Sequence, residues 1–252
     1  MDVTTLFNLK PLLPTLLIFC LAPELNSFPQ RESADPFPMN EGTTWVYRGI
    51  VRWYDMQAQK TVGMTVTSRS EVVRVIRRNN LVAAFIKGFP PDLDWSAGQA
   101  PRGDWLIVRT SSDELYLFGA EEVEQKLERL ENLGDSLKGM LTVDDLFMKL
   151  PPKKGMKFCD PEAKARTDDR YCWVIASERE LTLKDVKGLE PGKRTAFLLQ
   201  FVTNPDDTEL EFVPGIGFIS YRYHHHGTVA DTEMSLVEFH SSAGTPSNVG
   251  AH

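Results

Sequence analysis

Residues 221–228, YRYHHHGT, contain three of the chain's five histidines in a row. Neutral imidazoles are common zinc ligands, so this run could bind a metal ion. In a strand, however, His224 and His226 share one face and His225 lies on the other, which leaves at most two of them for one ion. A neighbouring strand would have to supply the third ligand, and the candidates are His240 and Glu238. We predict that the run ends a polar strand and binds no metal, with His224 and His226 as the minority candidates.

No sequence motif assigns an enzymatic reaction to the chain. The nucleophile elbow G-x-S-x-G, the zinc motif H-E-x-x-H, the phosphate loop G-x-x-x-x-G-K and the dinucleotide fingerprint are all absent. Carboxylates could pair in space for acid–base catalysis, but their spacing does not distinguish them from solvated surface acids; examples are Asp92, Asp94, Asp144 and Asp145. The sequence therefore predicts no cofactor and favours a protein without enzymatic activity. A hydrolase without a recognisable motif is the least favoured alternative.

The first 27 residues have the pattern of a secretory signal peptide. The apolar run 11–22 is too short to span a bilayer comfortably, and a polar, proline-rich stretch follows it. We expect cleavage after Ser27. A lipid on Cys20 would tether the chain to a membrane, but Phe19 is not the small residue that lipoprotein signals carry before their cysteine. We predict an exported protein, periplasmic or extracellular, with envelope association as an open alternative.

Removal of this segment would leave Cys159 and Cys172 as the only thiols in a protein bound for an oxidising compartment. The residues between them are polar, and strand-like segments flank them on both sides. Their separation lacks the close spacing of a C-x-x-C redox or metal site. We predict that they form a structural disulfide near the base of a long-looped hairpin.

The composition indicates a folded protein without electrostatic affinity for nucleic acid. Apolar residues make up 42% of the chain and charged residues 25%, which is enough apolar material for a sizeable core. The formal net charge is −7, so the chain has no overall excess of cations to displace counterions from phosphates. We therefore expect no nucleic-acid partner.

From Trp45 onward, most segments alternate apolar and polar residues, which is typical of strands with one covered face. The first such segment places Trp45, Tyr47 and Trp53 on one face and Arg48 and Arg52 on the other. Short polar connections such as Asn-Asn and Ser-Ser-Asp imply antiparallel neighbours. The sequence predicts a mainly β protein, built as an antiparallel, curved sheet or as two related β-units.

One central amphipathic helix is predicted among these strands. Residues 120–133 place Val123, Leu127 and Leu130 on one stripe and charged residues on the other faces. A shorter helical turn is expected after Thr142.

The two runs of strands on either side of this helix begin alike. Both runs start with the pattern apolar, proline, glycine, aromatic, as Phe37-Pro-x3-Gly-x2-Trp45 in the first and Leu150-Pro-x3-Gly-x2-Phe158 in the second. A match this short also arises by chance, so duplication is one of two open alternatives. We divide the chain into a signal peptide, a β-unit that contains the helix, a second β-unit and a flexible tail; these are residues 1–27, 28–149, 150–240 and 241–252.

Two segments of the chain resemble those of known proteins. They are the opening Phe37-Pro-x3-Gly-x2-Trp45-x-Tyr47 and the closing Phe212-Val-Pro-Gly-Ile-Gly-Phe218, which is followed by His-Gly-Thr and a final strand. The chain resembles a loose set of functionally uncharacterised bacterial exported proteins and lipoproteins. The resemblance implies an exported β-rich protein and transfers no catalytic residue. This chain departs from the members that carry a lipid anchor, because Phe19 stands directly before Cys20.

The aromatic face and the apolar stripe of the helix must each be covered by protein or by a ligand. We predict that they meet, and that a lipid or other apolar or amphipathic small molecule would enter at their junction. The candidate ligand-binding residues are Trp45, Tyr47, Trp53, Val123, Leu127 and Leu130. The favoured function is an exported binding module, and the alternative is a structural or partner-binding envelope protein without a small ligand.

Overall fold

Twelve strands and two short helices make up the computed structural model, which describes residues 35–88, 104–226 and 230–242. In chain order the elements are β1 Thr44–Asp55, β2 Lys60–Arg78, β3 Leu81–Lys87, β4 Asp104–Thr110, β5 Glu114–Phe118, α1 Ala120–Glu131, β6 Leu146–Lys149, β7 Lys157–Phe158, α2 Pro161–Lys164, β8 Trp173–Leu183, β9 Gly192–Val202, β10 Asp206–Val213, β11 Gly217–His225 and β12 Ala230–His240. Every strand pair is antiparallel. The predicted mainly β, antiparallel class is therefore confirmed.

Some predictions concern residues outside the described ranges. These are the signal peptide 1–27 with Cys20, the carboxylates Asp92 and Asp94, and residues 243–252 of the tail. None of the helices in the described ranges is long and apolar enough to cross a membrane.

The strands form one sheet in the order β6-β5-β4-β3-β2-β1-β12-β11-β10-β9-β8-β7. Each half of the chain is a meander, and the halves join where β1 pairs with β12 from Thr44↔His240 to Trp53↔Ala230. Residues that tolerate positive φ make the tight turns, with Asn79 at φ 53°. Because consecutive strands pair with each other, most of the topology follows from short local connections.

The two halves also begin with the same backbone hydrogen bonds. Gly42, at φ 81°, donates its N–H to the Val72 carbonyl at 2.8 Å. Gly155, at φ 87°, donates to the Ile175 carbonyl at 2.8 Å. Glycine suits both positions because it adopts positive φ without steric cost. Whether the halves arose by duplication stays a prediction.

The sheet is nearly closed, so side chains from its two ends share one interior. Phe147 of β6 lies with its ring centroid 6.4 Å from that of Trp173 in β8 and 6.1 Å from that of Phe218 in β11. Phe37 adds a ring stacked at 6.2 Å on Phe212. These aromatic residues belong to the main core, which lines the inner face of the sheet.

The helix α1 packs on the outer face of the sheet, over β2, β4 and β5. In β4, Leu106 and Val108 lie in the cluster with α1, while Ile107 between them belongs to the interior core. This strand is therefore covered on both faces. The helix ends at Glu131, and the Arg78 guanidinium donates to the Asn132 carbonyl at 2.7 Å, as a cation at a helix C-terminus does.

Two local features differ from the sequence prediction. The polar segment between the cysteines contains α2, because Asp160 caps it by accepting from Glu162 N at 2.7 Å and Ala163 N at 2.9 Å. After Thr142 there is only a turn, although the Asp145 carboxylate does accept from Thr142 N at 3.1 Å.

Candidate functional site

The predicted aromatic face lies in the interior of the sheet. Trp45 is 3% exposed and Tyr47 is 1% exposed, while Trp53 is partly buried and packs against the same core. The Trp45 indole N–H donates to the Ile216 carbonyl at 2.6 Å, and the Tyr47 hydroxyl donates to the Phe218 carbonyl at 2.8 Å. Burial raises the pKa of Tyr47 well above its usual value, so the phenol stays a donor. Trp45 and Tyr47 therefore connect β1 to the start of β11 and form part of the core.

The apolar stripe of the helix lies elsewhere. Val123 and Leu130 are buried in the outer cluster with β3, β4 and β5, and Leu127 is partly buried against it. The sheet itself separates this cluster from the interior, so the stripe and the aromatic face do not meet. The predicted ligand junction between them is wrong. The physical reason is that β3 and β4 carry apolar residues at successive positions and bury both faces, which leaves the outer face to the helix.

The three histidines alternate as predicted. The rings of His224 and His226 lie together, with centroids 4.6 Å apart, and His225 lies on the other face. Each pairs with an aspartate: His224 Nδ1 contacts Asp231, and His226 Nε2 lies 2.7 Å from Asp207 Oδ2. Within the described residues, no group of three or more histidine, cysteine or acidic side chains could hold a metal ion.

The two candidates for a third metal ligand lie at the end of β12 that is distant from His224. His240 is paired with Thr44, and the Glu238 carboxylate lies 3.1 Å from Lys187 Nζ. By contrast, His224 is opposite Asp231, near the other end of the same strand. These two side chains cannot complete a site at His224.

On the inner face, Asp206 receives two partners. The Tyr223 hydroxyl donates to Asp206 Oδ1 at 2.5 Å, and His225 Nδ1 lies 2.6 Å from the same oxygen. Burial acts to raise the pKa of Asp206, but these hydrogen bonds outweigh it and hold the pKa below its ordinary value. Burial, together with the Asp206 carboxylate, raises the pKa of Tyr223. The cluster therefore holds an ionised carboxylate and a protonated phenol at neutral pH.

The stability of the protein should depend on the ionisation of Asp206. A carboxyl group with a lowered folded-state pKa stabilises the fold at pH above its unfolded value of about 3.9, and this contribution is lost as the pH falls through the folded pKa. The loss of stability caused by Asp206→Asn should thus be largest near neutral pH and should shrink in acid. Urea unfolding of both proteins between pH 7 and pH 2 measures this difference.

Tyr223→Phe is the matched variant, because it keeps the carboxylate and removes one of its donors. Its stability profile should lie between those of the wild type and Asp206→Asn. A stability difference that is the same at every pH would contradict the assignment.

Two of the cavities among the described residues lie on the outer face of the second half of the sheet. The first, which we name the edge cavity, lies beside the edge strand β7 and has a volume of about 350 Å³. Its lining includes Lys154, Lys157, Asp169, Val174, Ala176 and Val202. Lys157 forms an ion pair with Asp169, whereas Lys154 is exposed and has no ion-pair partner among the described residues.

Three separate segments build the edge cavity. The Gly155 turn positions Lys154 at the start of β7, and β8 and β9 supply the apolar wall. Asp169 comes from the loop that the disulfide closes. Cys159 and Cys172 are bonded with their Cα atoms 4.8 Å apart, which confirms the predicted disulfide.

The second cavity, which we name the charged groove, crosses β8 to β12 and has a volume of about 320 Å³. Arg179 Nε donates to Glu211 Oε1 at 2.7 Å, and an Arg222 guanidinium nitrogen donates to Glu209 Oε2 at 3.0 Å. Glu211 is only 8% exposed, and its pairing with Arg179 offsets the cost of burying the carboxylate.

A side-chain hydrogen bond connects the linings of the two cavities. Gln200 lines the edge cavity, Glu209 lines the charged groove, and Gln200 Nε2 donates to Glu209 Oε1 at 2.8 Å. An apolar space therefore lies next to a polar groove, and the cation at its rim, Lys154, has no ion-pair partner among the described residues. This arrangement suits a molecule with one apolar and one polar part.

Comparison with known proteins leaves the function open. No family model matches the chain, and no curated protein matches it. Several solved structures are similar to it, among them a candidate exported protein with a YmcC-like fold from Bacteroides fragilis and a candidate lipoprotein from Parabacteroides distasonis. The first is 11% identical with a TM-score of 0.36, and it covers 82% of this chain and 99% of its own. The second is 13% identical with a TM-score of 0.34, and it covers 83% of this chain and 100% of its own. At these TM-scores, neither likeness supports an inference about function.

Proposed function

We propose that this protein is an exported binding module that holds an amphipathic ligand with an anionic head group in the edge cavity. The observation that carries the proposal is the apolar wall of Val174, Ala176 and Val202 beside the ammonium group of Lys154, which has no ion-pair partner among the described residues. In the first half, α1 covers the outer face of β3 to β5, whereas the second half offers these cavities.

The size of the edge cavity supports a small apolar group. Its volume of about 350 Å³ is near the lower end of the range for small-molecule sites, roughly 300–1,000 Å³. Burying a methylene group against such a wall is worth about 0.8 kcal/mol. We therefore assign the cavity to one alkyl chain rather than to a whole membrane lipid.

The charge at the rim favours an anion. Lys157 already has a carboxylate partner in Asp169, so the ammonium group of Lys154 is the cation that remains to be paired among the described lining residues. A carboxylate or phosphate accepts charge-assisted hydrogen bonds from such a group.

The proposed location of the protein rests on the N-terminal sequence and on the disulfide. Residues 1–27 have the signal-peptide pattern, and a Cys159–Cys172 disulfide persists in oxidising compartments outside the cytosol. Both features support export.

Calorimetric titration with dodecanoate, below its micelle concentration, tests the proposal. Ala176→Trp should fill the cavity and weaken dodecanoate binding at least about tenfold, which corresponds to 1.4 kcal/mol. Lys154→Glu should weaken the binding of dodecanoate by a similar factor and leave the binding of uncharged dodecanol unchanged.

Lys153→Glu is the matched control, because it makes the same charge change one residue away and Lys153 is not part of the described lining. It should bind dodecanoate as the wild type does. If the wild type binds neither compound, or if Ala176→Trp binds both normally, the ligand-binding function is abandoned in favour of partner binding.

A further inference from the structure

We propose that the charged groove binds a neutral, polyhydroxylated ligand, namely a short saccharide, whose hydroxyl groups donate hydrogen bonds to Glu211. The proposal does not depend on a ligand in the edge cavity.

A row of mostly short side chains forms the floor of the charged groove. The strand registers align one residue from each of the strands β8 to β12 on the same face of the sheet, and this row consists of Ser177, Leu198, Glu211, Ser220 and Ser235. All of these residues line the groove. Adjacent strands lie about 4.8 Å apart, so the row extends over roughly 19 Å. The floor is therefore an extended surface that suits an elongated ligand.

Long, ion-paired side chains form the walls on both sides of this floor. On one side, Arg222 is opposite Glu209 and Glu233; its guanidinium group donates to Glu209 at 3.0 Å and lies 4.0 Å from Glu233. On the other side, Arg179 reaches over the floor to Glu211. The difference in length between the walls and the floor explains the groove volume of about 320 Å³.

Glu211, in the middle of the floor, has one carboxylate oxygen without a donor among the described residues. The residue is only 8% exposed, and Arg179 contacts Oε1 alone, with Nε at 2.7 Å and a terminal guanidinium nitrogen at 2.6 Å. No described residue donates a hydrogen bond to Oε2. A carboxylate oxygen that is largely withdrawn from bulk water is unfavourable unless it accepts hydrogen bonds. Oε2 is therefore an acceptor that a bound hydroxyl group would satisfy.

The hydroxyl groups of the floor also have unused hydrogen-bonding capacity. Ser177 and Ser220 are partly buried, and neither side chain forms a hydrogen bond with a described residue. A serine hydroxyl donates one hydrogen bond and accepts others. The floor thus offers donors and acceptors along its length, and a sugar ring presents hydroxyl groups with the same double capacity.

The charges of the groove favour a neutral ligand over an ion. Arg179 neutralises Glu211, and Arg222 neutralises Glu209. Glu233 is the remaining carboxylate of the lining, and its side chain is 58% exposed, so water screens its charge. An ion in the groove would lose hydration without gaining a buried counter-charge. A neutral sugar avoids this cost and still accepts hydrogen bonds from the remaining N–H groups of the two arginines.

Calorimetric titration with maltose, cellobiose, lactose and trehalose tests the proposal. These neutral disaccharides differ in linkage and stereochemistry, and at least one should bind the wild type when titrated to about 10 mM, which detects a millimolar Kd. Glu211→Gln removes the negative charge with almost no change in size, and it should weaken that binding at least about tenfold, the usual loss for a hydrogen bond to a charged group. Ser220→Leu places an apolar side chain on the floor and should abolish binding.

Glu180→Gln is the matched control, because Glu180 is also an ion-paired carboxylate, 2.7 Å from Lys193 Nζ, and lies outside the described lining of the groove. It should bind the disaccharide as the wild type does. Circular dichroism verifies that every variant keeps its strand content. Neither Glu211 nor Ser220 lines the edge cavity, so the dodecanoate titration is a separate measurement and each proposal succeeds or fails alone. A wild type that binds none of the disaccharides, normal binding by Glu211→Gln, or equal weakening by Glu180→Gln would overturn the proposal.

Discussion

Replacing Phe218 by alanine is expected to lower the free energy of unfolding by about 3–5 kcal/mol, the usual cost of removing a buried phenylalanine ring. Phe218 is 2% exposed, and its ring centroid lies 5.6 Å from Phe37, 5.9 Å from Phe212 and 6.1 Å from Phe147. Its neighbours come from the segment before β1, from β10 and from β6. Since these are separate strands of a nearly closed sheet, they cannot easily collapse into the space that the ring leaves.

Urea unfolding followed by tryptophan fluorescence measures this loss, which is a large part of the 5–15 kcal/mol that stabilises a typical domain. Tyr54→Ala is the control, because Tyr54 is 37% exposed on β1 and the substitution should cost less than about 1 kcal/mol. A similar, small effect for both variants would show that the interior is not a packed core.

Removal of the disulfide should lower the free energy of unfolding by about 3 kcal/mol, because the bond closes a loop with a sequence separation of 13. Most of this effect comes from the unfolded chain, which gains freedom when the bond is absent. Cys159→Ala combined with Cys172→Ala tests it under non-reducing conditions. The same substitution frees the loop that carries Asp169, so dodecanoate binding in the edge cavity should weaken as well, if the proposed function is correct.

Reduction provides the control for this experiment. A reductant should destabilise the wild type by a similar amount and should have no effect on the double variant, which has no bond to break. Equal stability of the double variant and the oxidised wild type would contradict the prediction. Normal dodecanoate binding by a destabilised double variant would instead separate the structural role of the bond from any role in the cavity.

Features that depend on neighbours in the sequence were predictable. The turn at Asn79 follows from its tolerance of positive φ, and the separation of His225 from His224 follows from strand alternation. The disulfide followed from the scarcity of other cysteines. The capping helix α2 was missed, although Asp160 followed by proline is a recognisable start signal.

The position of the helix was less accessible to sequence reasoning. The stripe of Val123 and Leu130 predicts that a covering surface exists, but it does not identify that surface. The continuous apolar run at Leu106–Val108 was the available signal, since a strand with apolar residues at successive positions is covered on both faces. Trp45 lies on the inner face of the sheet, and the apolar stripe of the helix packs on the outer face of β3 to β5.

The sequence by itself determined the antiparallel β class, the disulfide, and the alternation of side chains along each strand. These properties depend on local geometry, residue type and short connections. Only the tertiary structure decided that the two halves share one sheet, that α1 and the aromatic face lie on opposite sides of it, and that the edge cavity exists. Lys154, Asp169 and Val202 form that cavity from three segments. Such arrangements depend on which distant residues meet, and no local pattern encodes that.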